Sequence, residues 1–444
     1  MRRLRSLGTT LMITVAIAIQ PVQYGLLAGV GRALAQAGDP CGPVTQRLLG
    51  PSAKGGATSN GTVTPIYECE PQVNPGGGGT TTSPKVAYFL LPGIGDGPPT
   101  NGQSTYFNPT GLPGFLMNTG QTAVPVSAVQ PWADWKNKNL TVQGSELSSK
   151  ISATAAANTN IILIGHSMGG LRGRSALQFN NTSNPSLQTN VKALVTLGTP
   201  HFGAPIIDKG KPAATLLGGV LGVSLSAFVG LGPYLSGAVG MFGARAWAAS
   251  ILDTPSGQDM RQSPNNSFLN RLNAPSSAEK IPANVALLRV SGQNSDIDSY
   301  GASAGIAEST AAVGALRSNL GNVTLIAGVV AMGMAFFTFG ATIPWALALF
   351  AASYLLLNLP AFWRNNVMGA AQGDAIVPQD SQNLPAGIGG KQVVADLDLS
   401  FAVHTGRYGE YQVNAYGEYV DNQKLRARLQ ALQVSLNIPV SKDQ

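Results

Sequence analysis

The stretch of sequence that decides the fold reads IILIGHSMGGLRGRSAL and covers residues 161–177. Its first four residues are apolar types that form buried strands, and its last seven suit a helix. Between them, GHSMG at residues 165–169 completes the order of strand, tight turn and helix that a nucleophile elbow requires. Ser167 is therefore the candidate nucleophile, and an ordinary glycine-rich turn is the alternative interpretation.

A nucleophilic serine needs a base, because the hydroxyl is a weak nucleophile at its ordinary pKa. The chain has 3 histidines. His166 lies inside the elbow, where we expect it to point away from its neighbour, and His201 directly follows the next strand in GTPHFG. His404, in FAVHTG behind the last strand-like run, is the remaining candidate for the base, and a loop histidine is the alternative.

Two segments offer the carboxylate that would orient this base. Asp374 in GDAIVP precedes His404 and gives the chain order Ser, Asp, His of α/β-hydrolases. Asp296 and Asp298 in NSDIDSYG directly follow the strand-like run ALLRV, so they are competing candidates. A helix cap or a calcium loop is a further interpretation of this pair, although two carboxylates alone do not predict a metal site.

Acyl transfer also needs hydrogen-bond donors aimed at the oxyanion. The backbone N–H of Met168, the residue after the nucleophile, is the first candidate. The second is the N–H of Ile94 in PGIGD, which follows the apolar run VAYFLL and contains glycines that let backbone approach a substrate.

Five motifs in this order resemble the signature of secreted bacterial lipases and related serine esterases of the α/β-hydrolase fold. They are GHSMGG at 165–170 followed by Leu171 and Arg174, VTLGTPHFGAP at 195–205, SPNNSFLNRLN at 263–273, GDAIVP at 373–378 and VHTG at 403–406. The resemblance covers roughly residues 85–436. It implies that Ser167 is the nucleophile, Asp374 the acid and His404 the base. It also implies that Ile94 and Met168 donate hydrogen bonds to the oxyanion.

The chain departs from that pattern in two places. Pro92 stands where many such lipases have a histidine before the oxyanion glycine. An apolar insertion at residues 318–363 is much larger than the family usually carries at this position.

Apolar strand-like runs alternate with helix-like stretches from residue 85 onward. This alternation predicts a doubly wound α/β fold whose mostly parallel sheet is buried on both faces. Leucines at 425, 429, 432 and 436 recur with helical spacing, so one face of a final helix should pack on the sheet. The runs are residues 86–91, 123–129, 161–164, 193–197 and 286–290.

The N-terminal region predicts export. Residues 1–37 combine arginines, the apolar run LMITVAIAI and a small-residue cleavage site, as a signal peptide does, and an uncleaved anchor is the alternative. We therefore expect a secreted or periplasmic protein. Cys41 and Cys69 would meet oxidising conditions and form a disulfide. They lie in a segment, residues 38–84, that ends in a Gly/Pro/Thr-rich linker, and the catalytic domain would occupy residues 85–444.

Two apolar insertions interrupt the catalytic domain, at about residues 206–252 and 318–363. The first follows GTPH, where resembling lipases have a lid, and the second has 46 residues without a charge. We expect helices that form a cap or lid and touch a lipid interface, and a packed hairpin that never moves is the alternative. Because Ser167 and Asp374 flank both insertions, any membrane crossings between them must be even in number.

The amino-acid composition and the net charge exclude several classes of protein. Charged residues make up 11% of the chain and hydrophobic residues 44%, which excludes a disordered protein. A formal charge of +7 falls to +3 without the four arginines of the leader, so nucleic acid is not the expected partner. The sequence predicts a secreted hydrolase of apolar carboxylic esters, without cofactor or metal. A lipid acyltransferase, a phospholipase or a non-catalytic membrane-associated protein on the same scaffold are the alternatives.

Overall fold

The computed structural model describes the chain in separate ranges. These are residues 46–48, 67–69, 85–94, 112–118, 126–128, 137–154, 159–229, 245, 248–262, 264–303, 309–335, 342–370, 372–404 and 423–442. The predicted signal peptide, Cys41 and the linker at residues 71–84 lie outside them. Both the leader and the disulfide therefore stay predictions.

The described strands form one small and one large sheet. In the small sheet, β1 pairs antiparallel with β2, and Cys69 lies opposite Gln46. The large sheet has the order β4-β3-β5-β6-β7-β8, with β9 also on β7, and all of its pairs are parallel. The strands are β1 (Gln46–Leu48), β2 (Tyr67–Cys69), β3 (Lys85–Leu91), β4 (Val126–Ala128), β5 (Thr159–His166), β6 (Val191–Leu197), β7 (Ile281–Gly292), β8 (Gly389–Gln392) and β9 (Leu397–Leu399).

The large sheet is buried on both faces because its central strands are apolar at successive positions. In β5, Ile162 and Ile164 join one core cluster, while Ile161 and Leu163 join a second cluster on the opposite face. Parallel strands covered on both faces show this continuous apolar pattern. The predicted α/β fold is confirmed.

Helices cover the sheet and extend beyond it. The described helices are α1 (Leu112–Met117), α2 (Leu140–Thr154), α3 (Met168–Phe179), α4 (Pro185–Thr189), α5 (Pro205–Val229), α6 (Pro255–Gln258), α7 (Ser267–Asn273), α8 (Ile297–Ser303), α9 (Thr310–Met334), α10 (Ile343–Leu357), α11 (Leu359–Phe362), α12 (Gln379–Gln382) and α13 (Gln423–Ser435). A π-helical segment, Trp363–Met368, directly follows α11. In α13, Leu425, Leu429 and Leu432 are buried in a cluster with the sheet, and Leu436 packs against it, as their spacing predicts.

The two apolar insertions meet in one helical unit. Val220 of α5 packs with Ala352 and Leu356 of α10, and Leu320 of α9 borders the same cluster. Helix α9 is long and apolar enough to cross a membrane, and α10 with the helical segment after it passes the same test as a pair bent by 74°. The described parts of both insertions are largely helical, as the sequence predicts, and the movement of a lid stays a prediction.

Candidate active site

Ser167 stands on a sharp turn between β5 and α3. Its backbone angles are φ 53° and ψ −125°, a conformation that residues other than glycine rarely adopt. The flanking glycines make the turn possible. A Cβ on Gly169 would lie 1.9 Å from the carbonyl oxygen of Leu91, and one on Gly165 would lie 2.5 Å from the backbone nitrogen of Gly170. The elbow therefore requires glycine at both positions, for steric reasons.

Three side chains that are far apart in sequence form one hydrogen-bonded chain. The hydroxyl of Ser167 lies 2.8 Å from Nε2 of His404, and Nδ1 of His404 lies 2.8 Å from Oδ2 of Asp374. All three residues are buried. In the tautomer with hydrogen on Nδ1, the imidazole donates to the carboxylate and accepts the hydroxyl proton of the serine.

The loop around Asp374 holds its carboxylate rigidly. Oδ1 accepts hydrogen bonds from the backbone N–H of Val377 at 2.8 Å and of Ile376 at 3.3 Å. The carbonyl oxygen of Asp374 accepts the backbone N–H of His404 at 2.7 Å. Ala375 turns the loop with φ 71°, and its carbonyl accepts the indole N–H of Trp363 at 2.6 Å. The loops of Asp374 and His404 are thus joined through backbone as well as side chains.

The competing carboxylates have other partners. Asp296 caps the start of α8, where Oδ2 accepts the hydroxyl of Ser299 at 2.9 Å. Asp298 forms a salt bridge with Arg317 of α9 at 2.8 Å. The structure brings neither to His404. Within the described ranges, no group of three or more His, Cys, Asp or Glu residues could hold a metal ion.

Met168 directly follows Ser167, and the turn that carries Ile94 lies against it. Met168 is the first residue of α3, where backbone N–H groups have no partner within the helix and the helix dipole favours negative charge. The turn after β3 also lies against Ser167, because a Cβ on Gly93 would be 2.9 Å from the serine Cβ and 3.4 Å from its hydroxyl oxygen. Ile94 follows in this turn. Their roles as donors stay predictions.

His166 contributes to the site in a way that the sequence did not indicate. Its Nε2 lies 2.6 Å from the carbonyl oxygen of His404, to which it can donate, and the two ring centroids are 4.9 Å apart. Burial, and secondly the neighbouring His404, hold the pKa of His166 well below its ordinary value. The ring is therefore neutral at pH 7. Its place at the end of β5, the sheet edge where the base loop also returns, is the signal that could have found it.

His201 belongs to a buried network that joins three of the sequence motifs. Nη1 of Arg174 lies 3.1 Å from Nδ1 of His201 and 3.0 Å from Oδ1 of Asn273, and Nη2 donates to the carbonyl of Leu272 at 2.7 Å. Burial lowers the pKa of Arg174 to about 9 and, with the cation beside it, that of His201 well below its usual range. These motif residues hold the elbow helix in place, and the structure does not bring His201 into the hydrogen-bonded chain of Ser167.

Two clefts border the loops that carry the acid and the base. One, of about 400 Å³, has Phe202, Met368 and Pro378 among its lining residues. The other, of about 440 Å³, is lined in part by Arg364 and Phe401. Neither cleft is lined by Ser167, Asp374 or His404, so neither contains the hydrogen-bonded chain itself.

Three features together define the class of fold: the strand order, the turn at Ser167, and the order of Ser167, Asp374 and His404 along the chain. The elbow follows the central strand β5, the acid loop comes after β7, and the base loop directly follows β9. This is the α/β-hydrolase fold. The family model of the PGAP1-like alpha/beta domain matches residues 144–212, which include the elbow. A search of curated protein sequences finds no match.

Several solved structures are distantly similar. A lipase from Bacillus licheniformis in its mature form is 14% identical over 74% of this chain and 87% of that chain, with a TM-score of 0.37. A metagenomic carboxyl esterase is 12% identical over 80% and 76% of the two chains, with a TM-score of 0.38. Phospholipase PlaB from Legionella pneumophila is 14% identical over 48% and 40%, with a TM-score of 0.31.

Proposed function

We propose that this protein is a secreted serine hydrolase that cleaves carboxylic esters of apolar acyl chains. The observation that carries the proposal is the hydrogen-bonded chain from Asp374 through His404 to Ser167, with the serine on a strained turn. A serine, an imidazole and a buried carboxylate in this geometry are the parts that acyl transfer needs.

In the proposed reaction, Nε2 of His404 takes the hydroxyl proton while Oγ of Ser167 bonds to the ester carbonyl carbon. The carbonyl oxygen becomes an oxyanion that the N–H groups of Met168 and Ile94 would stabilise. Collapse of this intermediate breaks the ester C–O bond, and His404 returns its proton to the leaving alcohol. A water molecule, deprotonated by the same imidazole, then hydrolyses the acyl-enzyme and releases the acid.

The preference for apolar acyl chains is supported by the helices beside the site. Helix α5 begins at Pro205, directly after the loop that lines the first cleft, and Ile206 and Ile207 pack in the cluster that contains Met168. The proposed lid, residues 206–252, thus starts against the residue that follows the nucleophile. Apolar side chains in this position favour substrates that bury hydrocarbon.

The proposal is tested by hydrolysis of p-nitrophenyl esters from acetate to palmitate. We expect turnover by the wild type, a rise of kcat/KM with chain length, and loss of nearly all activity in Ser167→Ala, on the order of 10⁴-fold or more. A fluorophosphonate should label the wild type and the control Ser183→Ala, whose serine is exposed. Equal labelling or equal turnover of Ser167→Ala would overturn the assignment.

A further inference from the structure

Helices α9 and α10 form a hairpin whose outer surface is apolar and exposed. The two helices pack closely, since Ala331, Ala346 and Leu349 are buried between them. Large apolar side chains nevertheless remain outside this contact. They are Leu325, Ile326, Val329, Val330, Met332, Met334, Ile343, Leu347, Tyr354 and Leu357. Exposed apolar patches of this extent mark interaction surfaces.

The hairpin changes character from its tip to its base. Aliphatic and methionine side chains are exposed near the tip, where α9 ends and α10 begins. Tyr354, 71% exposed, lies one turn before the end of α10. Charges return only at the base: Arg317 pairs with Asp298 and donates to carbonyls at the end of α10, and Arg364 is exposed in the segment that follows. Apolar side chains, then the exposed ring of Tyr354, then the exposed Arg364 follow the order of the layers in a bilayer leaflet.

This arrangement distinguishes lipid from a protein partner. A core helix that is apolar enough to cross a membrane is mostly buried, but only 22% of the apolar window of α9 is buried. Protein interfaces have a polar rim and about one hydrogen bond per 100–200 Å². The 46 residues between Arg317 and Arg364 carry no charge with which to build such a rim. Acyl chains are the partner that requires neither charge nor hydrogen bond.

The length of the hairpin fits one leaflet. Tyr354 lies eleven residues beyond Ile343, the first residue of α10, which at about 1.5 Å per residue gives roughly 16 Å. The hydrocarbon core of a bilayer is about 30 Å thick, so this distance is about half of it. We propose that the α9–α10 hairpin inserts tip first into one leaflet and holds the protein on a lipid surface. Both ends then stay on one side, which leaves Ser167 and Asp374 together.

A vesicle flotation assay tests the hairpin. The predicted mature chain, beginning at Gly38, is mixed with vesicles of phosphatidylcholine and phosphatidylglycerol in a ratio of about 3:1, a composition with the anionic lipid that attracts basic residues. We expect the wild type to float. Ile326→Glu/Val329→Glu places charges at positions that are 56% and 58% exposed, and it should lower the partition coefficient on the order of 100-fold or more.

The matched control is Val142→Glu/Val434→Glu, which charges two exposed apolar positions, 43% and 62% exposed, on α2 and α13. It should float like the wild type, and circular dichroism should show that both double variants are folded. Equal loss of binding in the control, or a wild type that does not float, would overturn the proposal. If the hairpin variant instead dissociates a dimer that does not bind vesicles, a second copy covers this face.

A fluorescence measurement tests the depth of insertion. Trp345 lies in the first turn of α10, near the tip, and the chain has 5 tryptophans. Lipids brominated deep in their acyl chains should quench wild-type fluorescence, and Trp345→Phe should remove most of that quenching. Quenching that survives in Trp345→Phe would contradict tip-first insertion.

The lipid proposal does not depend on the ester-hydrolase proposal, because none of its residues belongs to the hydrogen-bonded chain at Ser167. Ser167→Ala should therefore float like the wild type. A protein that floats but hydrolyses no ester would refute the proposed function alone. A protein that hydrolyses soluble esters through Ser167 but does not float would refute the hairpin proposal alone.

Discussion

Helices α3 and α9 show opposite relations between composition and burial. In α3, every residue from Met168 to Gln178 is buried, including Arg172 and Arg174. In α9, an apolar helix of 25 residues, the buried side includes only small or β-branched residues such as Gly321, Gly328 and Ala331, and large apolar side chains from Leu325 to Met334 are exposed. In these two helices, position in the fold and not residue type determines which side chains are buried. A mismatch between residue type and burial is expected where function constrains the sequence.

Local contacts explain both the buried arginines of α3 and the exposed large side chains of α9. The buried Arg172 donates through Nε and Nη2 to Oε1 of Gln143 on the neighbouring α2, at 2.9 and 2.7 Å, so part of the cost of desolvating its charge is offset. On α9, Gly328 faces Phe350 so closely that a Cβ would lie 2.8 Å from its ring. The small residues bring α10 close and leave the large ones outside.

The largest effect is expected for Asp374→Asn, which changes the buried carboxylate beside His404. We expect turnover to fall by up to about 10⁴-fold while the fold remains, because the amide no longer fixes the tautomer of His404 or stabilises its charged form. The measurement is kcat/KM on a short soluble ester, with thermal unfolding to verify the fold. Asp298→Asn is the matched control at the base of the hairpin, and it should change turnover less than about tenfold, since its partner is Arg317. A large loss in the control and a small one in Asp374→Asn would move the acid to α8.

The comparison of the two helices predicts a large loss of stability for a substitution in α3 and almost none for a substitution on the exposed face of α9. Arg174→Met keeps the volume of the side chain but removes donors to His201, Asn273 and Leu272, so we expect a loss of about 3 kcal/mol in the free energy of unfolding. Ile326→Lys on α9 adds a charge to an exposed position and should change that free energy by less than about 0.5 kcal/mol. Urea unfolding of the wild type and both variants measures these changes in the free energy of unfolding. A loss of stability in Ile326→Lys equal to that in Arg174→Met would show that the hairpin surface is covered in solution.

The burial of His166 and His201 predicts that the protein loses stability as the pH falls. The pKa values of His166 and His201 lie well below that of an unfolded histidine, about 6.5, because burial disfavours the charged ring. Below that pH the unfolded chain binds protons that the native protein does not, so stability is complete above about pH 6.5 and decreases as the pH falls. Well below pH 6.5 the slope should approach about 1.4 kcal/mol per pH unit for each ring that stays neutral in the folded protein, and urea unfolding from pH 7 to 5 measures it. A constant free energy of unfolding over this range would contradict the burial of both rings.

His166→Phe tests whether His166 positions the base. Loss of the hydrogen bond to the carbonyl of His404 should lower kcat about tenfold with KM unchanged, because the ring touches the base loop and not the substrate. His166→Gln retains a donor and should recover part of kcat. The acid slope of stability should also fall by about half in His166→Phe. A change confined to stability, with kcat intact, would make this histidine a packing residue only.

The sequence predicted the local parts of the candidate site and left open the parts that depend on distant contacts. The elbow is a continuous stretch, and three histidines leave few choices for the base, so Ser167 and His404 could be named. The choice between Asp374 and Asp298 depends on whether the partner is His404 or Arg317, which no spacing in the sequence reveals. The contact of His166 with a carbonyl 238 residues away was missed for the same reason. Hydropathy likewise predicted the apolar helices of the hairpin but not which of their faces is exposed.

The hydrogen bond from Trp363 to the carbonyl of Ala375 has a consequence for how this protein can change in evolution or by engineering. The indole lies just beyond α11, so one residue ends the hairpin region and also braces the acid loop. Insertions between α9 and α10, at the tip, lengthen the hairpin without rotating this residue. A single-residue deletion between Leu359 and Trp363 turns the indole by about 100° around the helix axis and removes the brace. Homologues can therefore vary in hairpin length at the tip while the spacing from Trp363 to Asp374 stays fixed.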